Sequence, residues 1–250
     1  MRAAGQLALA HFGRVKVERK ADKSLVTEAD RAVERFLVGE LAKIVPDARV
    51  LGEEATTALE PSDARPTWAI DPIDGTAAFV AALSTWSISV GLIDEGEPTL
   101  GCVYLPVSNE MFLAGSSGPL YWNGEPVRRA AEPGMLGDAS DPETWIAVPS
   151  NYHKRYQTTY RGKLRSLGST AAHLAWTARG AAAGSLGFVR LWDAAGGLAC
   201  CRAAGVAFSY LSGLPIVFKD LLEGQCTPEP LVAAHPDDIG LLREAFSLKP

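Results

Sequence analysis

Trp68-Ala69-Ile70-Asp71-Pro72-Ile73-Asp74-Gly75-Thr76 is an apolar run that passes into two carboxylates separated by two residues, and then into Gly and Thr. The apolar part reads as a buried strand. Pro72 fixes the backbone in a turn, so that Asp71 and Asp74 can converge on one point. Two convergent carboxylates, supplemented by backbone carbonyls, suit a hard oxygen-seeking cation such as Mg²⁺. Gly75 lets the backbone approach a ligand, and the N–H groups of Thr76 and Ala77 at a helix start offer a place for a phosphate. Each aspartate alone has a plainer reading, because Asp-Pro and Asp-Gly are common turn pairs: Asp71 caps a turn and Asp74 caps the helix at Thr76. Their pairing directly behind a buried strand favours the ligand-binding reading.

Three further segments place acids at the ends of elements. Gly52-Glu53-Glu54 follows an apolar strand at 49–52, where a solvated glutamate pair is the plain alternative. Trp192-Asp193-Ala194-Ala195-Gly196 places an acid before very small residues, where Asp193 could simply cap a close-packed helix. Val26-Thr27-Glu28-Ala29-Asp30 puts an acid in the first turn of a helix over 27–44, a position the helix dipole alone explains. Thr27 is a good cap for that helix, whose apolar face is Val33, Phe36, Leu37, Leu41 and Ile44.

Outward from these motifs, a helix is expected over 1–12, ended by Gly13, and a short extended piece over 15–20. A polar loop carries Pro61, Ser62, Asp63 and Pro66. Strands over 87–94, 99–105 and 110–114 read as an antiparallel meander, followed by a Trp-Asn-Gly turn within 121–126. Residues 130–143 are rich in Gly, Pro, Asp and Ser without clear period, and mark the boundary between two halves. The first, 1–135, is an α+β half holding most of the acids; the second, 136–250, is an α/β half with Asp193. In the second half, strands over 145–148, 163–167 and 186–190 alternate with helices over 152–160, 169–183 and 194–204.

The chain has 250 residues, 47% hydrophobic and 21% charged, which is globular composition. A net charge of −5 gives no reason to expect a nucleic-acid polymer, and a phosphate ligand would need bound cations to offset repulsion. Cys102, Cys200, Cys201 and Cys226 form no C-x-x-C pair and read as buried reduced thiols. No signal-peptide pattern and no membrane-length apolar stretch occurs, so a cytoplasmic location is expected.

Taken in order, the four acidic segments resemble those of the inositol monophosphatase family, the lithium-sensitive, metal-dependent phosphatases. Lesser matches at Gly168-Ser169-Thr170-Ala171 and Ala233-Ala234-His235-Pro236 extend the resemblance over nearly the whole chain. The resemblance implies a layered α-β-α-β-α sandwich like that of fructose-1,6-bisphosphatase, mixing α+β and α/β character. It implies a homodimer that hydrolyses a small phosphorylated metabolite with two or three Mg²⁺ ions, Mn²⁺ serving as substitute. By position it assigns Glu53, Asp71 and the Ile73 carbonyl to one metal, and Asp71, Asp74 and Asp193 to a second. Asp30 supports a third, weaker metal and orients Thr76, while Glu53 and Thr76 position the attacking water. Gly75, Thr76, Ala77, Asp74, Gly168, Ser169, Thr170 and Asp193 fall on the phosphate and substrate side. The implied substrate is inositol monophosphate or a related sugar or polyol phosphate; a 3′(2′),5′-bisphosphate nucleotide, histidinol phosphate and fructose bisphosphate are the alternatives. A catalytically silent relative would be expected to lack a carboxylate or the threonine, and none is missing.

Two departures bear on the substrate. Ala77-Ala78-Phe79 stands where the family often has Asn or a charged residue, and Leu186 where inositol-specific members place a hydroxyl-contacting glutamate. The 20–27 stretch is close to that of relatives acting on nucleotide 3′-phosphates or histidinol phosphate. Trp86, Tyr152, His153, Lys154 and Arg155 are candidates for an adenine platform, with solvated surface the favoured reading of the last three; His173 reads as a core or interface residue, and Trp145 and Trp176 as core. A roomy apolar wall beside Leu186, Gly168 and Ser169 would favour a ring over a polyol.

Overall fold

The computed structural model describes residues 1–14, 17–19, 25–54, 65–127, 134, 136 and 143–249. Two helices open the chain, α1 (Arg2–His11) and α2 (Glu28–Leu41), with a small hairpin of β1 (Val17–Arg19) and β2 (Leu25–Thr27) between them. Thr27 caps α2 as expected: its hydroxyl and N–H both donate to Asp30 Oδ2, at 2.5 and 2.8 Å. The apolar runs that follow make a seven-stranded sheet in sequence order. Its strands are β3 (Arg49–Gly52), β4 (Thr67–Asp74), β5 (Ser87–Asp94), β6 (Glu97–Leu105), β7 (Glu110–Ala114), β8 (Tyr121–Trp122) and β9 (Glu125–Pro126). Only the β3–β4 pair is parallel. The last hairpin turns on Asn123 and Gly124, both at positive φ, the signature of an Asn-Gly turn. A short helix α3 (Thr76–Val80) follows β4 directly.

A second, five-stranded sheet is formed by β10 (Trp145–Ala147), β12 (Lys163–Arg165), β13 (Gly184–Gly187), β14 (Ala207–Tyr210) and β15 (Leu231–Ala234), in the order β12-β10-β13-β15-β14. Between the sheets lie α5 (Thr170–Ala178) and α6 (Leu191–Ala203), in one core that joins Leu51, Val103 and Phe112 to Leu231 and Ala233. The outer face of the first sheet carries α1 and α2 over Trp68, Ile70 and Ile88. The outer face of the second carries α7 (Ile239–Ala245) over Ile146, Val232 and Ala234. The result is the five-layer α-β-α-β-α sandwich. Among the described residues no helix is long and apolar enough to cross a membrane.

Several sequence expectations shift. The helix expected over 152–160 is a single turn, α4 (Tyr152–Arg155), after which β11 (Tyr156–Thr158) pairs antiparallel with β16 (Phe246–Leu248). Tyr156 is buried and Gln157 exposed, an alternation that serves a strand better than a helix. The helix over 169–183 stops at Ala178, before Gly180 at positive φ, and the strand over 186–190 lies two to three residues earlier. Trp86 is no platform: it is wholly buried against Phe12 and Phe79. Cys226 is exposed, unlike the other three cysteines. The boundary read at 130–143 and the tips of the 20–27 and 61–66 stretches lie largely outside the described residues.

Glycines set how closely α6 approaches β5 and β6. A Cβ at Gly91 would lie 2.5 Å from Ala195 Cβ and 2.6 Å from its carbonyl carbon; one at Gly101 would strike the Gly196 carbonyl. These neighbours are backbone or a short side chain, so they cannot swing aside. Gly91→Ala is therefore expected to destabilise the protein by about 1–3 kcal/mol, read as a lowered denaturation midpoint. An unchanged midpoint would mean that α6 is not seated as tightly as this spacing requires.

Candidate active site

Asp71 and Asp74 do not sit on a turn: β4 runs extended through both. Side chains three apart on a regular strand point to opposite faces. Here the pairing with β5 shifts, Asp71 opposite Ser89 and Asp74 opposite Ser87, so three steps on β4 match two on its neighbour. That bulge resets the alternation and brings both carboxylates to one side. Pro72, which cannot donate to a ladder, falls within it. The Ile73 N–H donates to Asp71 Oδ1 at 3.0 Å, and the Thr76 hydroxyl donates to the Ile73 carbonyl at 3.1 Å. Gly75 has φ +91°, and a Cβ there would lie 2.8 Å from the Gly168 carbonyl, so the position requires glycine on both counts.

Asp74 reaches across to the second half instead of capping α3. Its Oδ2 accepts from the Ser169 hydroxyl and the Ala171 N–H, both at 2.6 Å, an acid at the start of α5. Ser169 also accepts from the Ala172 N–H at 3.0 Å and meets the Ser87 hydroxyl at 2.9 Å. The Gly168-Ser169-Thr170 segment thus serves Asp74 as much as any ligand. Ser169→Ala is expected to remove both the cap and the clasp, at about 1–2 kcal/mol of stability. Chemical denaturation would test this, and a loss within a few tenths would show the clasp to be idle.

Asp193 is the third residue of α6, not its cap residue; its Oδ2 accepts from the Arg190 N–H at 2.9 Å. Asp30 accepts from Thr27 alone through Oδ2, while its buried Oδ1 has no hydrogen-bond partner. The expected orientation of Thr76 by Asp30 is not what these bonds show, since the Thr76 hydroxyl goes to Ile73. Glu53 follows β3 with its N–H on the Ile70 carbonyl at 3.2 Å. Sequence reading missed Glu34, a buried acid of α2 that accepts from the Glu54 N–H at 3.2 Å and occupies the space a side chain at 52 would need. The Gly before Glu53 was the available signal.

Electrostatics ties these acids together. Burial raises the Asp71 carboxyl well above its ordinary value, and the charges of Glu53, Asp74, Asp193 and Asp30 raise it further. Asp193 is pushed up to about 8, by burial and then by Asp74. Asp74 rises to about 6 through burial, held back by the Ser169 hydroxyl. Asp30 rises to about 6 through burial, against the Thr27 bonds. Like charges packed in a low-dielectric place oppose one another's ionisation, and a cation between them removes the conflict. Among the described residues no three His, Cys, Asp or Glu side chains stand ready-made as a closed metal cage. The carboxylates are turned to N–H and hydroxyl donors, but the unpartnered oxygen of Asp30 and the all-oxygen donor set fit a hard divalent cation.

The model of the inositol monophosphatase family matches residues 1–237. A Thermotoga maritima protein named fructose-1,6-bisphosphatase/inositol-1-monophosphatase is 33% identical over 220 residues, covering 85% of this chain and 82% of that one. Inositol-1-monophosphatase ImpA of Mycolicibacterium smegmatis is 34% identical over 206 residues, covering 79% and 74%. The solved structure of a Thermotoga maritima IMPase superposes with a TM-score of 0.80 at 28% identity, over 98% of this chain and 92% of that one. With the layered sandwich and the gathered acids already in place, these matches settle the kinship: the chain belongs to the inositol monophosphatase family and is a phosphomonoesterase.

Proposed function

We propose that the chain hydrolyses small phosphomonoesters with divalent cations, Mg²⁺ first and Mn²⁺ as substitute, held by Glu53, Asp71, the Ile73 carbonyl, Asp74 and Asp193. The mutually raised, buried acids around Asp71 carry this reading. The family is metal-dependent. A bound divalent cation supplies positive charge toward the phosphoryl oxygens and toward the entering and leaving oxygens. The protein supplies the rest. The Thr76 hydroxyl spends its hydrogen on the Ile73 carbonyl, so its lone pairs are left to accept from a water and aim it. Glu53, which follows β3 directly, takes that water's proton. The first main-chain bond back to Gly75 comes from Ala78, which leaves the N–H groups of Thr76 and Ala77 to face non-bridging phosphate oxygens. Asp30, whose buried Oδ1 has no hydrogen-bond partner, would support a weaker third cation.

Polyol monophosphates, inositol 1-phosphate foremost, are the first substrates to test, in line with the relatives' names. Nucleotide 3′-phosphates, histidinol phosphate and fructose bisphosphate form the second group, favoured by the apolar character of the hollow bordered by Leu186. The experiment is phosphate release from this panel with Mg²⁺, with EDTA and with added Li⁺. Release that needs the cation and falls with Li⁺ is expected; release unaffected by EDTA would remove the metal assignment. Size-exclusion chromatography with light scattering tests the accompanying expectation of a homodimer.

A further inference from the structure

Glu34 is an acid of α2 that lies 3% exposed, between the apolar inward residues Val33 and Leu37. Burying a carboxylate is unfavourable unless it is paired, so packing alone would select an apolar residue at this position. Its Oε1 accepts from the Glu54 N–H at 3.2 Å, a bond between α2 and the segment just beyond β3.

The carboxylate reaches that peptide through the space Gly52 leaves open. A Cβ on residue 52 would run into Glu34 Oε1 and stand 2.8 Å from Glu34 Cδ. Gly52 ends β3 and is not among the residues at positive φ, so the demand for glycine here comes from the Glu34 side chain and not from the backbone.

Two bonds then decide where Glu53 points. Peptide groups are planar, so a side chain's direction is set once the planes before and after its Cα are fixed. The plane before Glu53 is held by its own N–H on the Ile70 carbonyl at 3.2 Å, and the plane after it by the Glu54 N–H on Glu34. Ile70 directly precedes Asp71 on β4, so the first bond ties Glu53 to the strand that carries Asp71 and Asp74. Glu34 lies one helical turn after Asp30, so the second ties it to the helix that carries Asp30.

We propose that Glu34 is a positioning residue: by holding the Glu53–Glu54 peptide to α2 through the gap at Gly52, it aims the Glu53 carboxylate at the cation shared with Asp71. The inference rests on the phosphatase reading, in which Glu53 is a cation ligand, and adds to it a residue that acts only through Glu53.

The test uses variants of the full chain and two readouts taken without substrate: protection of the Glu54 amide from hydrogen exchange in EDTA, and Mg²⁺ affinity by isothermal titration. Glu34→Ala should expose the Glu54 amide and weaken Mg²⁺ binding about 10-fold, the loss expected when an outer partner of a metal ligand is removed. Glu34→Gln keeps an oxygen for the same N–H, so protection should persist and affinity stay within about 3-fold of the parent. Gly52→Ala should displace the carboxylate and reproduce both losses with Glu34 intact. Glu34→Ala/Gly52→Ala should be no worse than Glu34→Ala, because the space is then vacant. Val33→Ala, a cavity at the neighbouring buried position, should lower the melting temperature and leave both readouts in place. In turnover the loss should appear in the Mg²⁺ concentration for half-activity and not in KM for the ester.

A Glu34→Gln protein as weak in Mg²⁺ binding as Glu34→Ala would assign the effect to charge and overturn the proposal. So would additive losses in the double variant, or a Glu54 amide that stays protected without Glu34. Should Glu34→Ala not fold, Gly52→Ala against Glu34→Gln makes the same comparison. If the parent binds no Mg²⁺ while Glu54 protection follows the variants as expected, the cation assignment fails and the tie between α2 and the Glu53–Glu54 peptide stands.

Discussion

Asp193→Asn is expected to lower turnover by at least about 100-fold while raising the melting temperature of the metal-free protein. The first effect follows because loss of even a supporting partner of a metal ligand costs about 10–100-fold, and Asp193 is assigned as a ligand itself. The second follows from its surroundings: burial and the charge of Asp74 push its carboxyl up to about 8, so the ionised form strains the metal-free fold. Asparagine keeps an oxygen to accept the Arg190 N–H, so the start of α6 stays capped. Opposite movements of activity and stability separate this outcome from simple misfolding, which lowers both. Phosphate release and a thermal melt in EDTA decide the matter. Near-normal turnover would remove Asp193 from the metal set, and a lowered apo melting temperature would mean that its charge is compensated by groups other than a cation.

Much of the architecture was legible because local signals and burial agree. The β5 and β7 strands, the Asn123-Gly124 hairpin and the Thr27 cap all fall where period and turn chemistry place them. The helix over 169–183 failed locally, at Gly180, whereas the helix over 152–160 was decided by long-range pairing. Tyr156–Thr158 carries helix-compatible neighbours, yet a partner strand more than eighty residues away captures it. The site shows the same division. Its members were legible as acids at element ends, and the plain capping readings were partly right, since Asp30, Asp74 and Asp193 all accept from N–H groups at helix starts. Capping and cation binding need not compete, because a carboxylate has lone pairs for both. What sequence could not give was the means of convergence. The β4 bulge is a property of pairing with β5, and the Ser169–Asp74 clasp spans 95 residues. Leu186 marks the limit of position-by-position transfer: its place next to the hollow was legible, but the face its side chain takes depends on its register with Val232.

The metal-free protein should lose stability as pH rises from about 4 to about 8, the reverse of the usual carboxylate behaviour, and a divalent cation should restore it. The sign follows from proton counting. Asp30 and Asp74 titrate near 6 in the folded state and Asp193 near 8, against 3.8 for an unperturbed aspartate, and Asp71 is shifted in the same direction. Between 3.8 and those values the native state holds more protons than the unfolded chain, so stability falls with each step upward in pH. Below 3.8 the acids are protonated in both states and contribute nothing; above about 8 the penalty from Asp30, Asp74 and Asp193 is complete. His173 works against this trend. Burial lowers it to about 4 from 6.5, so the unfolded chain binds its proton first and stability rises with pH across that window. One group rising to 6.5 opposes two falling to about 6 and Asp193 falling to about 8, with Asp71 shifted the same way, so the decline is steepest between about pH 4 and 6 and continues from 6.5 to 8 on Asp193 and Asp71, where His173 no longer opposes it. A cation that binds only the folded form adds about 2.7 kcal/mol at a hundredfold excess over its dissociation constant. It should add more at pH 8 than at pH 5, since protons compete for the same oxygens. Thermal melts at pH 5, 6.5 and 8, in EDTA and in Mg²⁺, measure both slopes. A metal-free melting temperature that climbs from pH 6.5 to 8, or a Mg²⁺ increment no larger at pH 8 than at pH 5, would mean that the acids around Asp71 are not the uncompensated cluster on which cation binding depends.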